Sequence, residues 1–229
     1  MTAPLAFLDE THVCFPPVSN ALVNPDGLLA IGGNLKKSTL LKAYTHGIFP
    51  WFNEGEAIQW WSPDPRMVLF PDKIEISRSL SKVLRKKQFT VSTDQAFPQV
   101  IHACSEPRKA VEGTWITHAM QEAYTQLFRS GFAHSVEIWQ DGILAGGLYG
   151  VAIGRIFFGE SMFSRKNNAS KVALVWLCQQ IQQRNFALID CQVYSNHLHS
   201  MGASMISRHE FIHQLEIHCR QDLSVANWL

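Results

Sequence analysis

The sequence lacks the marks of a membrane protein, of a disulfide-stabilised protein and of a protein that binds nucleic acid over its whole surface. No apolar run approaches the roughly 20 residues that cross a bilayer, and the first residues lack the basic region and apolar core of a signal peptide. The 5 cysteines are odd in number and form no CxxC pair, which favours reduced thiols in a cytoplasm. The formal net charge is only +1, so nucleic-acid binding would need a local basic patch.

The chain has enough apolar sequence for a substantial core. Of its 229 residues 46% are hydrophobic and 17% are charged, which excludes a disordered protein and allows one large domain or two small ones. The pattern predicts an α+β protein. We expect a small N-terminal α+β domain at residues 1–92 and a second domain at residues 93–229.

The second half of the chain, from Thr117 onward, has the clearer pattern of helices and strands. Thr117 is expected to cap a helix at residues 117–129. Strands follow at residues 134–139, 143–153 and 155–163, and then a helix at 169–184 and a strand at 186–194. A meander followed by a helix and an adjacent strand resembles the core of the GNAT-like acyltransferases, with a mostly antiparallel sheet and flanking helices.

Two carboxylates interrupt apolar strands in this half. Glu160 and Asp190 lie in segments that read as core, where an unpaired charge is costly. Each side chain could simply bond to backbone N–H groups at a strand end. Alternatively, because both strands flank one helix, the two carboxylates could face a common cleft. Gln192 is two residues after Asp190 and is expected on the same face of the strand, with Cys191 on the opposite face as a small buried hydrophobe.

Tryptophans cluster in sequence that resembles loops. Trp51, Trp60, Trp61 and Trp115 lie among prolines, glycines and polar residues, whereas most tryptophans pack inside a protein. They could serve local packing, or they could stack on a nucleobase.

A basic run lies on one predicted helix near residues 76–88. Arg78, Lys82 and Arg85 share a face at helical spacing. Such a face is usually only solvated, but it could also follow a phosphate backbone.

Three histidines invite comparison with a metal site. His197 and His199 would point the same way on a strand, and His134 is a further candidate. No other His, Cys or Asp cluster completes a known ligand spacing, so we predict no metal.

Several long motifs resemble one family, the leucyl/phenylalanyl-tRNA–protein transferases of bacteria. The resemblance covers roughly residues 14 to 215, and the joint presence of the motifs in order is highly specific. The motifs are Asn24-Pro-Asp-Gly-Leu-Leu-Ala-Ile-Gly-Gly33, Gly47-Ile-Phe-Pro-Trp-Phe52, Trp60-Trp-Ser-Pro-Asp-Pro-Arg66, Glu112-Gly-Thr-Trp-Ile-Thr117, Phe158-Gly-Glu-Ser-Met-Phe-Ser164, Asn168-Ala-Ser-Lys171 and Leu188-Ile-Asp-Cys-Gln192.

The resemblance implies an activity and its partners. The family transfers leucine, phenylalanine and, less well, methionine from the corresponding aminoacyl-tRNAs to proteins that begin with Arg or Lys, which marks them for N-degron degradation. It uses no metal or organic cofactor, and neither membrane nor DNA is implied as a partner.

The resemblance also implies roles for particular residues. Asp190 would orient or deprotonate the attacking amine, Gln192 would contact the reacting groups, and Glu160 would bind the amine or the basic first side chain. Trp51 and Trp115 would hold the terminal adenosine, and Arg78, Lys82 and Arg85 would contact tRNA phosphates. The pocket for the transferred side chain would be lined by Leu148, Phe157, Met162, Leu177 and Ile189.

Two other functions compete with this interpretation. An acyl-CoA transferase of the GNAT type would need a glycine-rich loop before the central helix, and residues 164–171 contain no glycine. A non-catalytic module that binds N-degrons or tRNA is the second alternative, but it would give Asp190 and Gln192 no role.

Overall fold

The computed structural model of the protein describes residues 4–106 and 115–219. The motif at residues 112–117 therefore lies partly outside the described residues, with Trp115, Ile116 and Thr117 inside them.

A small sheet is formed near the start of the chain. Its strands are β1 (Ala6–Leu8), β2 (Leu28–Gly32), β3 (Phe49–Pro50) and β4 (Gln59–Trp61), in the order β1-β2-β4-β3. Helix α1 (Lys37–Thr45) connects β2 to β3. The indole N–H of the buried Trp60 donates to the Gly32 carbonyl at 2.8 Å, so Trp60 is a core residue of a strand and not a loop residue.

The larger sheet has seven strands and carries the cleft. They are β5 (Arg66–Leu69), β6 (Thr90–Thr93), β7 (Ala133–Gln140), β8 (Ile143–Ile153), β9 (Ile156–Ser164), β10 (Leu188–Gln192) and β11 (Ser204–Ile206). Their order is β11-β5-β10-β9-β8-β7-β6. Each neighbouring pair is antiparallel except β9 and β10, which are parallel.

Helices cover both faces of this sheet. They are α2 (Arg78–Lys86), α3 (Phe97–Ser105), α4 (His118–Arg129), α5 (Ala169–Gln183), α6 (Asn196–His199) and α7 (Arg208–His218), with short 3-10 turns at Val18–Asn20 and Pro71–Lys73. Successive residues of β8 point to opposite faces. Accordingly, Leu148 packs in the apolar cluster that contains α5, and Tyr149 packs in the cluster that contains α3 and α4.

The predicted α+β class with a mostly antiparallel sheet and flanking helices is confirmed. The Thr117 cap is also confirmed, since its side chain accepts from the Met120 N–H. Strand β8 has the predicted bounds, and the hairpin before it turns at Asp141 and Gly142, both with positive φ.

Two local predictions are wrong. His197 and His199 lie on the short helix α6 and not on a strand, because the chain turns after β10. The sequence also predicts a helix at residues 38–46 with Ser38 as its N-cap, but helix α1 begins at Lys37, so this cap does not form. The large sheet also takes β5 and β6 almost wholly from the N-terminal side of the domain boundary expected after residue 92.

The parallel strands β9 and β10 separate part-way along their length. Their pairing in the described structure runs from Ile156 with Leu188 to Phe158 with Asp190. Beyond that point β9 continues to Ser164, while β10 ends at Gln192. The two strands therefore leave a gap in the middle of the sheet.

Each strand carries a bulge where the gap begins. On β9, Gly159 pairs with Gly150 and Ser161 with Tyr149, so Glu160 is the extra residue. Bulges bend a strand and re-aim its side chains. The close approach of β8 and β9 here requires glycine, because a Cβ at Gly150 would lie 2.2 Å from the Phe158 carbonyl oxygen.

We predict that Gly150→Ala lowers the free energy of unfolding by about 1–3 kcal/mol or more, because the backbone oxygen of β9 cannot move aside. Gly159→Ala is the matched control, since its Cβ would meet its nearest atom at an ordinary 3.4 Å. Urea denaturation of both variants checks this. Equal stabilities of the two variants would contradict the close approach at Gly150.

Candidate active site

A large cavity of about 970 Å³ opens at the gap between β9 and β10. Nine of the residues predicted for the site contribute to its wall: Trp51, Trp115, Leu148, Phe157, Glu160, Met162, Leu177, Ile189 and Gln192. The sequence places these residues far apart, on six different segments of the chain. The fold therefore brings together most of the predicted site.

The apolar part of the wall lies on the α5 side of the sheet. Leu148, Phe157, Leu177 and Ile189 are buried members of one apolar cluster, and Met162 packs against it. Leu174 and Cys191 also line this part, although the sequence analysis did not include them among the pocket residues. Leu174 lies three residues before Leu177 and therefore on the same face of α5. This spacing could have identified Leu174 as a pocket residue.

The polar part of the wall is centred on Glu160. The Tyr44 hydroxyl donates to Glu160 Oε1 at 2.7 Å, and the Tyr124 hydroxyl donates to Oε2 at 2.9 Å. The Gln192 side-chain amide donates to Oε1 at 3.0 Å. The two tyrosine hydroxyls are also in contact with each other.

Sequence reasoning missed both tyrosines. Tyr44 lies on α1 and is 116 residues from Glu160, and Tyr124 lies on α4. Neither stands in a motif whose spacing points to a carboxylate. Only the packing of α1 and α4 against the sheet reveals them.

The environment of Glu160 raises the pKa of its carboxyl from 4.5 to about 7. Burial is the largest cause, and the charge of Asp190 acts in the same direction. The hydrogen bonds from Tyr44, Tyr124 and Gln192 oppose the shift, because they stabilise the ionised form. A carboxyl with a pKa near neutrality can both hold and accept a proton under physiological conditions.

Asp190 is fully buried and bound on both of its oxygens. Arg66 donates through Nε to Oδ1 at 2.8 Å and through Nη2 to Oδ2 at 2.7 Å. The Gln192 backbone N–H donates to Oδ1 at 2.9 Å. Asp190 does not contribute to the described wall of the cavity.

Cys191 packs in the apolar cluster of α5 as a small buried hydrophobe, as expected, whereas Asp190 and Gln192 bond to Arg66 and Glu160 on the other side of the sheet. The pairing with β5 shifts between Asp190 and Gln192, which makes Cys191 the extra residue of a second bulge. Gln192 itself has a positive φ of 65°. As a result Cys191 and Gln192 both line the cavity, while Asp190 faces Arg66.

The two predicted base-stacking tryptophans lie at the mouth of the cavity. Trp51 is 41% exposed and its ring centroid lies 5.6 Å from that of Trp61. Trp115 is half-buried and lines the same cavity. Trp61 holds Trp51 through an indole N–H bond of 2.7 Å to the Trp51 carbonyl.

The basic residues lie outside this cavity. Arg78, Lys82 and Arg85 are exposed on α2, whose apolar face packs against the α5 cluster through Leu80, Val83 and Leu84. The structure thus presents them to solvent as one face of a helix.

The three histidines that were considered as metal ligands and set aside make separate contacts. His134 contacts Asp94 through Nδ1 at 2.8 Å, and His199 contacts the Ala203 carbonyl. In the described ranges, no three His, Cys, Asp or Glu side chains come together in a way that could hold a metal ion.

Comparison with known proteins identifies the family. A model described as leucyl/phenylalanyl-tRNA protein transferase matches residues 68–216, and a model of the N-terminal domain of that family matches residues 33–64. The chain is 53% identical over 225 residues to the leucyl/phenylalanyl-tRNA–protein transferase of Pseudomonas fluorescens Pf0-1, with 98% of this chain and 99% of the relative covered. The chain belongs to this transferase family.

The chain is also similar to a further relative and, more distantly, to two solved structures. The leucyl/phenylalanyl-tRNA–protein transferase of Azotobacter vinelandii is 52% identical over 226 residues, covering 98% of this chain and 99% of the relative. Among solved structures, L-PGS from Bacillus licheniformis matches with a TM-score of 0.41 and 12% identity, over 73% of this chain and 55% of the other. A GCN5-related N-acetyltransferase from Kribbella flavida matches with a TM-score of 0.37 and 10% identity, over 76% and 62%.

The leucyl/phenylalanyl-tRNA–protein transferase assignment makes the protein an aminoacyltransferase that moves an aminoacyl group from tRNA to proteins. None of the helices in the described ranges has both the length and the apolar character of a bilayer-spanning helix.

The raised pKa of Glu160 predicts how the stability of the transferase depends on pH. Between pH 4.5 and about 7 the folded protein holds a proton that the unfolded chain releases. This contribution to stability is therefore complete below pH 4.5 and is lost as the pH rises through about 7, with a total of about 3 kcal/mol. We expect the free energy of unfolding of Glu160→Gln to rise relative to wild type between pH 5 and pH 8. Parallel pH profiles of the two proteins in urea denaturation would show that Glu160 is not perturbed.

Proposed function

We propose that this transferase moves leucine, phenylalanine and, less efficiently, methionine to the N-terminal α-amine of proteins that begin with Arg or Lys. The product carries a new peptide bond and is marked for N-degron degradation in the cytoplasm. The observation that carries the proposal is a cavity that joins an apolar pocket, a buried carboxylate and two tryptophans at one gap in the sheet.

The apolar pocket suits the side chain of the donor amino acid. Its wall on the α5 side consists of Leu148, Phe157, Met162, Leu177 and Ile189. Such a wall favours unbranched, γ-branched or aromatic apolar groups and discriminates by shape, at about 1–3 kcal/mol per methylene. A polar or β-branched donor side chain would fill it poorly.

The tryptophans and the basic helix suit the tRNA. Trp51 and Trp115 are proposed to hold the terminal adenosine, where stacking contributes about 1–3 kcal/mol per base. Arg78, Lys82 and Arg85 are proposed to contact phosphates, which position the tRNA without reading its sequence.

The reaction is attack by the acceptor α-amine on the ester carbonyl of the aminoacyl-tRNA. A C–N bond forms, the C–O bond to the ribose breaks, the amine loses a proton and the ribose oxygen gains one. The ester is already activated, so the reaction needs no metal, organic cofactor or covalent intermediate. Holding the two reactants in place can contribute about 7–11 kcal/mol to the lowering of the barrier.

Glu160 is proposed to bind the amine and to accept its proton. Its carboxyl lies in the cavity wall and has a pKa of about 7, which suits proton exchange near neutral pH. Gln192, bonded to Glu160 through its amide, is proposed to contact the reacting groups. We assign Asp190 to positioning, because both of its oxygens are engaged by Arg66 and by the Gln192 backbone.

The proposal predicts a pattern of donors and acceptors. Labelled leucine, phenylalanine and methionine should pass from charged tRNA to peptides that begin with Arg or Lys, with methionine the slowest. Charged valyl-tRNA, a peptide that begins with Ala, and labelled acyl-CoA as donor should all give no product. Mass spectrometry of the peptide locates the new residue at its N-terminus. Equal transfer to the Arg and Ala peptides would contradict the acceptor rule, and transfer from acyl-CoA would contradict the donor class.

A further inference from the structure

Besides Glu160, a second polar residue, Tyr149, belongs to the wall of the cavity. The Tyr149 side chain is fully buried in the cavity wall, and its hydroxyl has no hydrogen-bond partner in the described structure. Its ring is fixed edge-on against Phe97 and Tyr124, with centroids 5.8 Å and 5.7 Å away. A buried hydroxyl without a partner costs about 1–3 kcal/mol, so its retention calls for a reason.

Tyr149 and Glu160 belong to the same part of the wall. Tyr149 pairs with Ser161 at the bulge that displaces Glu160, and the Glu160 charge adds to burial in raising the pKa of the Tyr149 phenol. Tyr149 is on the opposite face of the sheet from Leu148 and the apolar pocket. The cavity therefore has an apolar side for the donor side chain and a polar side with two oxygen-bearing groups.

The polar side has unused hydrogen-bond acceptors. Tyr44 and Gln192 both donate to Glu160 Oε1, but Oε2 accepts only from Tyr124 in the described structure. A carboxylate has about four lone-pair sites, which leaves one on Oε2. The Tyr149 oxygen supplies a second acceptor.

We propose that Tyr149 binds the N-terminal amine of the acceptor protein, together with Glu160. This role rests on the proposed function and names a further residue that touches the substrate. An amine with several N–H groups is complementary to one carboxylate oxygen and one phenol oxygen. The donor ester then reaches the amine from the apolar side of the gap.

The proposal predicts that Tyr149→Phe weakens the binding of the acceptor peptide without lowering the stability of the protein. Loss of an unpartnered hydroxyl should leave the free energy of unfolding unchanged or raise it. The affinity for an Arg-starting peptide should fall about tenfold, because a hydrogen bond to the amine is lost. The KM for aminoacyl-tRNA should change less than twofold.

Ser62→Ala is the matched control. The Ser62 hydroxyl is also buried without a partner, but Ser62 does not belong to the described wall of the cavity. This variant should keep wild-type affinity for both substrates. A peptide with an acetylated N-terminus should bind wild type and Tyr149→Phe equally, since it presents no amine.

Calorimetric binding of the Arg-starting peptide tests the proposal independently of turnover. Equal peptide affinity in Tyr149→Phe and wild type would overturn it. A rise in the KM for aminoacyl-tRNA alone would also overturn it and would place the hydroxyl against the ribose. Peptide binding that is weaker in Tyr149→Phe, in a wild-type protein that transfers nothing, would support the amine site and contradict the proposed function.

Discussion

The buried ion pair of Arg66 and Asp190 is the interaction on which the site depends. The side chain of Arg66 is 1% exposed and that of Asp190 is 0% exposed. Two parallel hydrogen bonds join the guanidinium to the carboxylate. The remaining guanidinium nitrogen of Arg66, Nη1, donates to the Gly47 carbonyl at 3.1 Å. The rings of Phe49 and Phe211 lie 4.7 Å and 4.6 Å from its central carbon. Removal of one partner of such a pair costs about 3–5 kcal/mol, because the other charge stays buried.

This pair ties together segments that are distant in the sequence. Arg66 begins β5 and Asp190 lies on the adjacent strand β10, 124 residues later. Gly47 follows α1, and Phe211 lies on α7. The small sheet, the large sheet and helix α7 therefore meet at one guanidinium.

A chain of hydrogen bonds leads from this pair to the cavity. Asp190 accepts the Gln192 backbone N–H, and the Gln192 side chain reaches Glu160. Glu160 is in turn held by Tyr44 and Tyr124 from two helices. Burial is the main cause of the raised pKa of Glu160, and Asp190 acts on Glu160 in two further ways, through its own charge and through Gln192.

The sequence predicted the parts of the site that depend on local pattern. Glu160 and Asp190 stand out because carboxylates are rare in apolar strands, and β8 is bounded by a turn with a clear signature. The partners Arg66, Tyr44 and Tyr124 could not be found in this way, because their contacts join residues 36 to 124 positions apart and arise from packing. The bulges at Glu160 and Cys191 were also missed, since one extra residue leaves no signal in an alternating pattern. They explain why Gln192 lines the cavity and Asp190 does not.

We propose that Asp190 acts by positioning Gln192 and Glu160 and not by touching the amine. The most direct test compares the transfer activity of Asp190→Asn with that of the double variant Arg66→Met/Asp190→Asn. The double variant leaves no buried charge unpaired and keeps an acceptor for the Gln192 N–H. We expect it to be more stable than Arg66→Met alone and more active than Asp190→Asn alone. A well-folded double variant that is no more active than Asp190→Asn would show instead that the Asp190 carboxylate itself takes part in the reaction.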